Sequence, residues 1–179
     1  MKTNEYRTSA LIFFVKSPEE GAVKTRLAAE IGRRRALEIY KSVAVQSLNA
    51  VSGGAYELRV SYHPPDAGEQ VAGWLGGGFT FVPQTGGGLG ERMENAFAQG
   101  FSEGMDRVLL AGSDIPGLDK AVAEEAFAAL EDHDAVIVPA FDGGYGLIGF
   151  REDGYTPAVF RGIVWSTGTV CAETQAILA

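Results

Sequence analysis

The sequence predicts an α/β fold: one domain over residues 1–179, built on a mostly parallel, twisted sheet with helices on both faces. Three observations lead there. Short apolar runs at 10–15, 108–111 and 135–139 carry no polar face, as strands buried on both sides do. Stretches with apolar residues at helical spacing stand between them. At 179 residues the chain is long enough for one core covered on two faces and short for two.

Composition narrows the function. The apolar share of 46% and charged share of 21% are those of an ordinary globular protein. A net charge of −8 argues against a nucleic-acid or anionic-membrane surface, so any anion site must be local. Cys171 is the only cysteine, which excludes an internal disulfide and fits a small buried hydrophobe. With no signal-peptide core or membrane span in the sequence, a cytoplasmic location is expected.

Ala10 to Val15 forms the first strand, and the loop from Lys16 to Leu27 follows it, with Pro18 and Gly21 as turn formers and Lys24 and Arg26 either side of Thr25. After the first strand of an α/β sheet these cations suit a polyphosphate, although a solvated basic loop has the same composition. Gly-Ala-Val-Lys-Thr is not a P-loop, because Val23 stands where a glycine is required. Residues 33–51 form a covering helix whose three leading arginines read as a solvated first turn. A second strand spans 56–62. Pro64-Pro65-Asp66 stops it and offers a cap for a short helix over 70–75, while His63 reads as structural.

Phe79 to Val82 is a third strand. Pro83-Gln-Thr-Gly-Gly-Gly-Leu-Gly-Glu-Arg-Met93 then leads into a helix over 89–102. Gly86 and Gly88 mimic part of a dinucleotide fingerprint, but Glu91 replaces its third glycine and the loop comes late in the chain, which argues against a nicotinamide cofactor. Backbone N–H groups at this helix start suit a phosphate or base edge, with Arg92 one turn in, or Arg92 is a surface residue.

Arg107-Val-Leu-Leu-Ala-Gly-Ser-Asp-Ile-Pro-Gly-Leu118 is the stretch on which function turns. Its apolar run is a central strand, and Asp114 lies just past its carboxyl end, where open α/β sheets bind ligands. A carboxylate there suits Mg²⁺ or Mn²⁺ bridging to phosphates; alternatively it caps the helix that begins near Leu118. A helix over 119–131 and a strand over 135–139 follow. Asp142-Gly-Gly-Tyr145 reads either as an acceptor-binding segment or as a hairpin turn, and it leads into an antiparallel strand near 145–150. The last helix spans 170–178, with Ser166 or Thr167 as candidate caps.

Phe14-Val-Lys-Ser-Pro18, Val23-Lys-Thr-Arg-Leu27, Leu89-Gly-Glu-Arg-Met93, Gly112-Ser-Asp-Ile-Pro-Gly-Leu118, Asp142-Gly-Gly-Tyr-Gly-Leu-Ile-Gly149 and Trp165-Ser-Thr167, in this order, resemble an uncharacterised bacterial family of glycosyltransferase-A fold. That family is similar to nucleotide-diphospho-sugar transferases, 2-phospho-lactate guanylyltransferase and the molybdenum-cofactor nucleotidyltransferases, and the resemblance covers about residues 9–179. It implies a metal-dependent transferase that uses a nucleotide or nucleotide-sugar donor and a small acceptor. Lys24, Arg26 and Asp114 would be catalytic, with Asp114 holding Mg²⁺ or Mn²⁺. Lys16, Lys24, Arg26, Leu89, Gly90 and Arg92 would bind the nucleotide, and Asp142, Gly143, Gly144 and Tyr145 would line the acceptor side.

Two departures qualify it. Gly88 stands where the family commonly has an acidic residue, and members usually continue past the last helix into an Asp-x-Asp-Thr segment, whereas this sequence stops at Ala179. The alternative is therefore a non-catalytic nucleotide- or partner-binding protein that has kept the fold and lost a metal ligand. A flavodoxin-like domain is disfavoured, since the glycines sit in the wrong loops.

Overall fold

A computed structural model describes residues 9–179. The strands are β1 (Ser9–Lys16), β2 (Glu57–His63), β3 (Thr80–Pro83), β4 (Arg107–Gly112), β5 (Ala135–Pro139) and β6 (Tyr145–Arg151). The helices are α1 (Thr25–Ile31), α2 (Arg33–Ala50), α3 (Gly68–Leu75), α4 (Leu89–Ser102), α5 (Lys120–Asp132) and α6 (Val170–Leu178), with short 3-10 turns at Glu152–Gly154 and Pro157–Phe160.

The strands form one sheet in the order β3-β2-β1-β4-β6-β5. β1 pairs in parallel with β2 and β4, and β2 with β3, whereas β6 runs antiparallel to both β4 and β5. The expected fold class, the interior position of β4 and the one antiparallel strand are all present.

β1 shows why its sequence has no polar face. Leu11, Phe13 and Val15 point into a core shared with Leu48 of α2, Val71 of α3 and Phe127 of α5. Ala10, Ile12 and Phe14 point into the opposite core, with Met93 and Phe97 of α4 and Phe150 of β6. Side chains alternate across a strand, so a strand covered on both faces must be apolar at every position. Burying each large residue contributes about 1.5–3 kcal/mol. Among the described residues no helix is long and apolar enough to cross a membrane.

Three local expectations are corrected. The loop after β1 contains the helix α1, which starts at Thr25 without a side-chain cap and buries no residue, so it carries no sequence signal. Asp66 does not cap α3, whose first flanking residue is Ala67. Neither Ser166 nor Thr167 caps α6, which begins after Thr169; the Thr167 hydroxyl instead donates to the Val164 carbonyl at 2.8 Å.

Candidate functional site

In the parallel register Phe14 stands opposite Gly112, the last residue of β4, while β1 continues to Lys16, so the loops that follow the two strands leave from the same edge of the sheet. A cleft of about 260 Å³ opens there, between the Lys24 loop, the Asp114 loop and the start of α4. Lys16, Lys24, Leu89, Arg92 and Asp114, all expected at the site, line it.

Asp114 does not cap a helix, because another residue does. Asp119 is the N-cap of α5, accepting from the Val122 N–H at 2.9 Å. Asp114 instead forms an ion pair with Lys24, and the two side chains are 47% and 26% exposed, so water still reaches the pair. Lys24 flanks α1 with left-handed backbone, φ 49°, which is uncommon for a residue with a side chain. That turn aims its ammonium at the end of β4.

Other expected residues stand differently. Arg26 is exposed on α1 and does not line the cleft. Once the chain becomes helical at Thr25, successive residues are rotated by about 100°, which separates position 26 from position 24. Gly90 is buried, and a Cβ there would lie 2.4 Å from the Phe160 carbonyl oxygen and 2.8 Å from Trp165 Nε1, so this glycine lets α4 seat closely against the turn at Pro157–Phe160.

Asp142, Gly143 and Gly144 form the β5–β6 turn: Asp142 Oδ1 accepts from the Gly144 N–H at 3.1 Å, and the Ala140 N–H donates to the Gly144 carbonyl at 3.0 Å. The turn sits on the same rim as Asp114, because Ile115 packs against Gly146. Tyr145 stands apart from the turn's hydrogen bonds. Its ring lies edge-on to Trp165 and its hydroxyl is enclosed near Thr174 and Cys171, where burial pushes the phenol well above its ordinary pKa. The side chain is partly buried and packs against the core on its face of β6.

Two further cleft residues escaped sequence reading. The Tyr40 hydroxyl accepts from the Lys16 N–H at 2.8 Å, donates to the Lys16 carbonyl at 3.0 Å and receives Ser113 Oγ at 3.5 Å, which ties α2 to the ends of β1 and β4. Burial raises its pKa, and the Asp114 charge adds to the rise against the opposing hydrogen bonds to Ser113 and Lys16. Buried Gln84 holds the β3–α4 loop through its Nε2, which donates to the Ser61 carbonyl at 2.8 Å. Tyr40 was hidden in the apolar stripe of its helix. Gln84 gave one signal, a polar residue immediately after a strand.

The sequence profile of a family described as "Uncharacterized protein conserved in bacteria (DUF2064)" matches residues 47–167. The crystal structure of a "putative nucleotide-diphospho-sugar transferase" from Desulfovibrio desulfuricans G20 superposes with a TM-score of 0.89 at 42% identity, covering 96% of this chain and 75% of that one. More distant are 4-diphosphocytidyl-2C-methyl-D-erythritol synthase from Anaerococcus prevotii DSM 20548 (TM-score 0.57, 11% identity, 97% of this chain and 83% of that one) and a CMP:2-keto-3-deoxy-manno-octonic acid synthetase complexed with CTP (TM-score 0.51, 10% identity, 96% and 84%). At such identities these two share the fold alone. No curated protein matches the sequence.

Proposed function

This chain belongs to the bacterial DUF2064 family, and on that premise we propose that it is a transferase which binds a nucleotide or nucleotide-sugar in the cleft above β1 and β4 and passes a nucleotidyl or glycosyl group to a small acceptor. The observation that carries this reading is the meeting of Lys24 and Asp114 at the carboxyl edge of two adjacent parallel strands, with Lys16 and Arg92 on the same cleft. Three cations around one carboxylate in a chain of net charge −8 form a local site for an anion.

The residues fit Mg²⁺ or Mn²⁺ in one particular way. Among the described residues no group of three or more carboxylates, histidines or cysteines converges, so Asp114 would hold the ion while donor phosphates and water complete its shell. Bound there, the ion would neutralise charge on the phosphates.

The chain's own groups do the rest. The Lys24 ammonium, now engaged by Asp114, is within reach of the phosphate that leaves, and the flexible lysine stem lets it follow that charge. Lys16 and Arg92 hold the remaining phosphates, and the exposed Leu89 covers one side of the nucleoside. The acceptor enters from the β5–β6 turn, with Asp142 at its rim. Catalysis is then positioning plus electrostatics, with the nucleophile supplied by the acceptor.

Thermal-shift measurements with nucleoside di- and triphosphates and nucleotide-sugars, each with and without Mn²⁺, test this. A ligand at 100 times its Kd stabilises by about 2.7 kcal/mol. The expected outcome is a shift that needs both nucleotide and Mn²⁺, and no shift with any donor ends the reading. Release of pyrophosphate identifies nucleotidyl transfer, and release of a nucleoside diphosphate from a nucleotide-sugar identifies glycosyl transfer. Among the described residues Asp114 is the one carboxylate lining the cleft, which favours a second reading, a binding protein without turnover; a nucleotide shift with no product from any donor and acceptor would select it.

A further inference from the structure

His63 has no part in the reading above, yet it stands on the same rim. It ends β2 directly beside Lys16 of β1 in the parallel register, and its carbonyl accepts the Ser17 N–H at 2.7 Å. Its Nδ1 is enclosed without a hydrogen-bond partner, which leaves Nε2 as the nitrogen open to a ligand. The charged groups that act on the ring are Arg92 of α4, Lys16 of β1 and Asp66 in the loop after β2. Among the described residues neither Lys16 nor Arg92 forms an ion pair, and Arg92 Nε is also enclosed without a partner. Two cations without ion-pair partners thus act on an imidazole whose protonation they oppose, and an anion would complete the group.

We propose that His63, Lys16 and Arg92 form an oxyanion site on the β2 side of the cleft, which takes a phosphate of the donor and takes up a proton at His63 as it does so. This rests on the nucleotide reading. In the free protein, burial and then the Arg92 and Lys16 charges hold the imidazole below the ordinary histidine range, against a smaller opposing effect of Asp66. A bound oxyanion accepts from Nε2 and favours the charged ring, so ligand and proton bind with reciprocal, positive coupling. Affinity therefore rises as pH falls through the pKa that His63 has with ligand bound, and levels off below its pKa in the free protein.

The chain has two histidines, and the other, His133, is exposed before β5 at the opposite end of the sheet, so it serves as an internal control. NMR titration of both rings against pH in the presence of Mg²⁺, with and without saturating tripolyphosphate, reads the coupling without base or sugar; the same titration is run with nucleotides. The expected result is a rise in the His63 pKa on binding and no change at His133. Calorimetry of the parent and His63→Gln gives a ratio of affinities in which the ligand's own protonation cancels. That ratio should grow about threefold or more between about pH 8 and about pH 5.5. Binding that leaves His63 unmoved, or moves both histidines alike, overturns the proposal. If neither tripolyphosphate nor any nucleotide binds, the nucleotide reading falls with it. Should His63→Gln fail to fold, titration of the parent decides alone.

Discussion

Asp114 could serve as a helix cap or as a ligand, and one neighbouring residue separates the two roles. Asp119 makes the capping bond to Val122 N–H, so Asp114 is spare to α5 and engages Lys24 instead. That pair is partly open to water and contributes about 1 kcal/mol or less to stability. Asp114→Asn should therefore melt close to the parent while losing the Mn²⁺-dependent part of nucleotide binding, since Asn keeps the size and loses the charge. Calorimetric titration of both proteins with nucleotide plus Mn²⁺ checks it, and equal affinities would remove Asp114 from the site. Asp114 was legible in the sequence because an apolar run ends at it among turn residues. Tyr40 was not, because its place on the helix stripe is that of any core residue, and only its hydrogen bonds to Lys16 reveal a strut. Tyr40→Phe should cost about 1 kcal/mol through the partly buried main-chain groups of Lys16 that lose their partner, and should weaken nucleotide binding as the end of β1 loosens. A variant that melts and binds like the parent would show that water replaces the hydroxyl.

The elements divide by whether something packs on them. α2, α4 and α5 each bury an apolar stripe and were readable from spacing, whereas α1 buries nothing, has no side-chain cap and follows a lysine in left-handed backbone. Its sequence therefore carries neither a stripe nor a start signal. The turn at 142–144 was readable both as turn and as site, and its hydrogen bonds fit the first without removing the segment from the rim. α4 depends on a glycine that sequence reading assigned to a ligand. At Gly90→Ala the new Cβ would meet the Phe160 carbonyl, part of the chain itself rather than a movable side chain, at 2.4 Å. The helix start must then lift, at a cost of about 1–3 kcal/mol. Denaturant unfolding measures it; an unchanged midpoint at unchanged slope would mean that α4 stands off from the 3-10 turn. The same displacement would carry Leu89 and Arg92 away from the cleft.

At the scale of the molecule, strand identity and direction were legible because buried runs and the Asp-Gly-Gly turn are local features. Strand order was not, since pairing β1 with β4 joins segments about a hundred residues apart, and that pairing is what creates the cleft. The two-sided core around the sheet also encloses several phenols, which gives stability a definite dependence on pH. Burial first, and then the charges of Glu124 and Asp119, push Tyr56 from its ordinary 10.0 up to about 12. Burial likewise raises Tyr40, Tyr145 and Tyr155. A phenol whose pKa is higher when folded holds its proton more tightly in the native state, so its contribution is complete below pH 10.0 and is lost as pH rises toward about 12. The unfolding midpoint should accordingly stay level through neutral pH and fall above pH 10.0. Lysines also discharge in that range, so the measurement must follow the phenols themselves. Phenolate absorbance recorded alongside circular dichroism should show these tyrosines ionising together with the loss of secondary structure. If instead they ionise freely near pH 10.0 while the fold remains intact, the rings are open to water and the packing of both faces around Tyr56 and Tyr155 is looser than the structure has it.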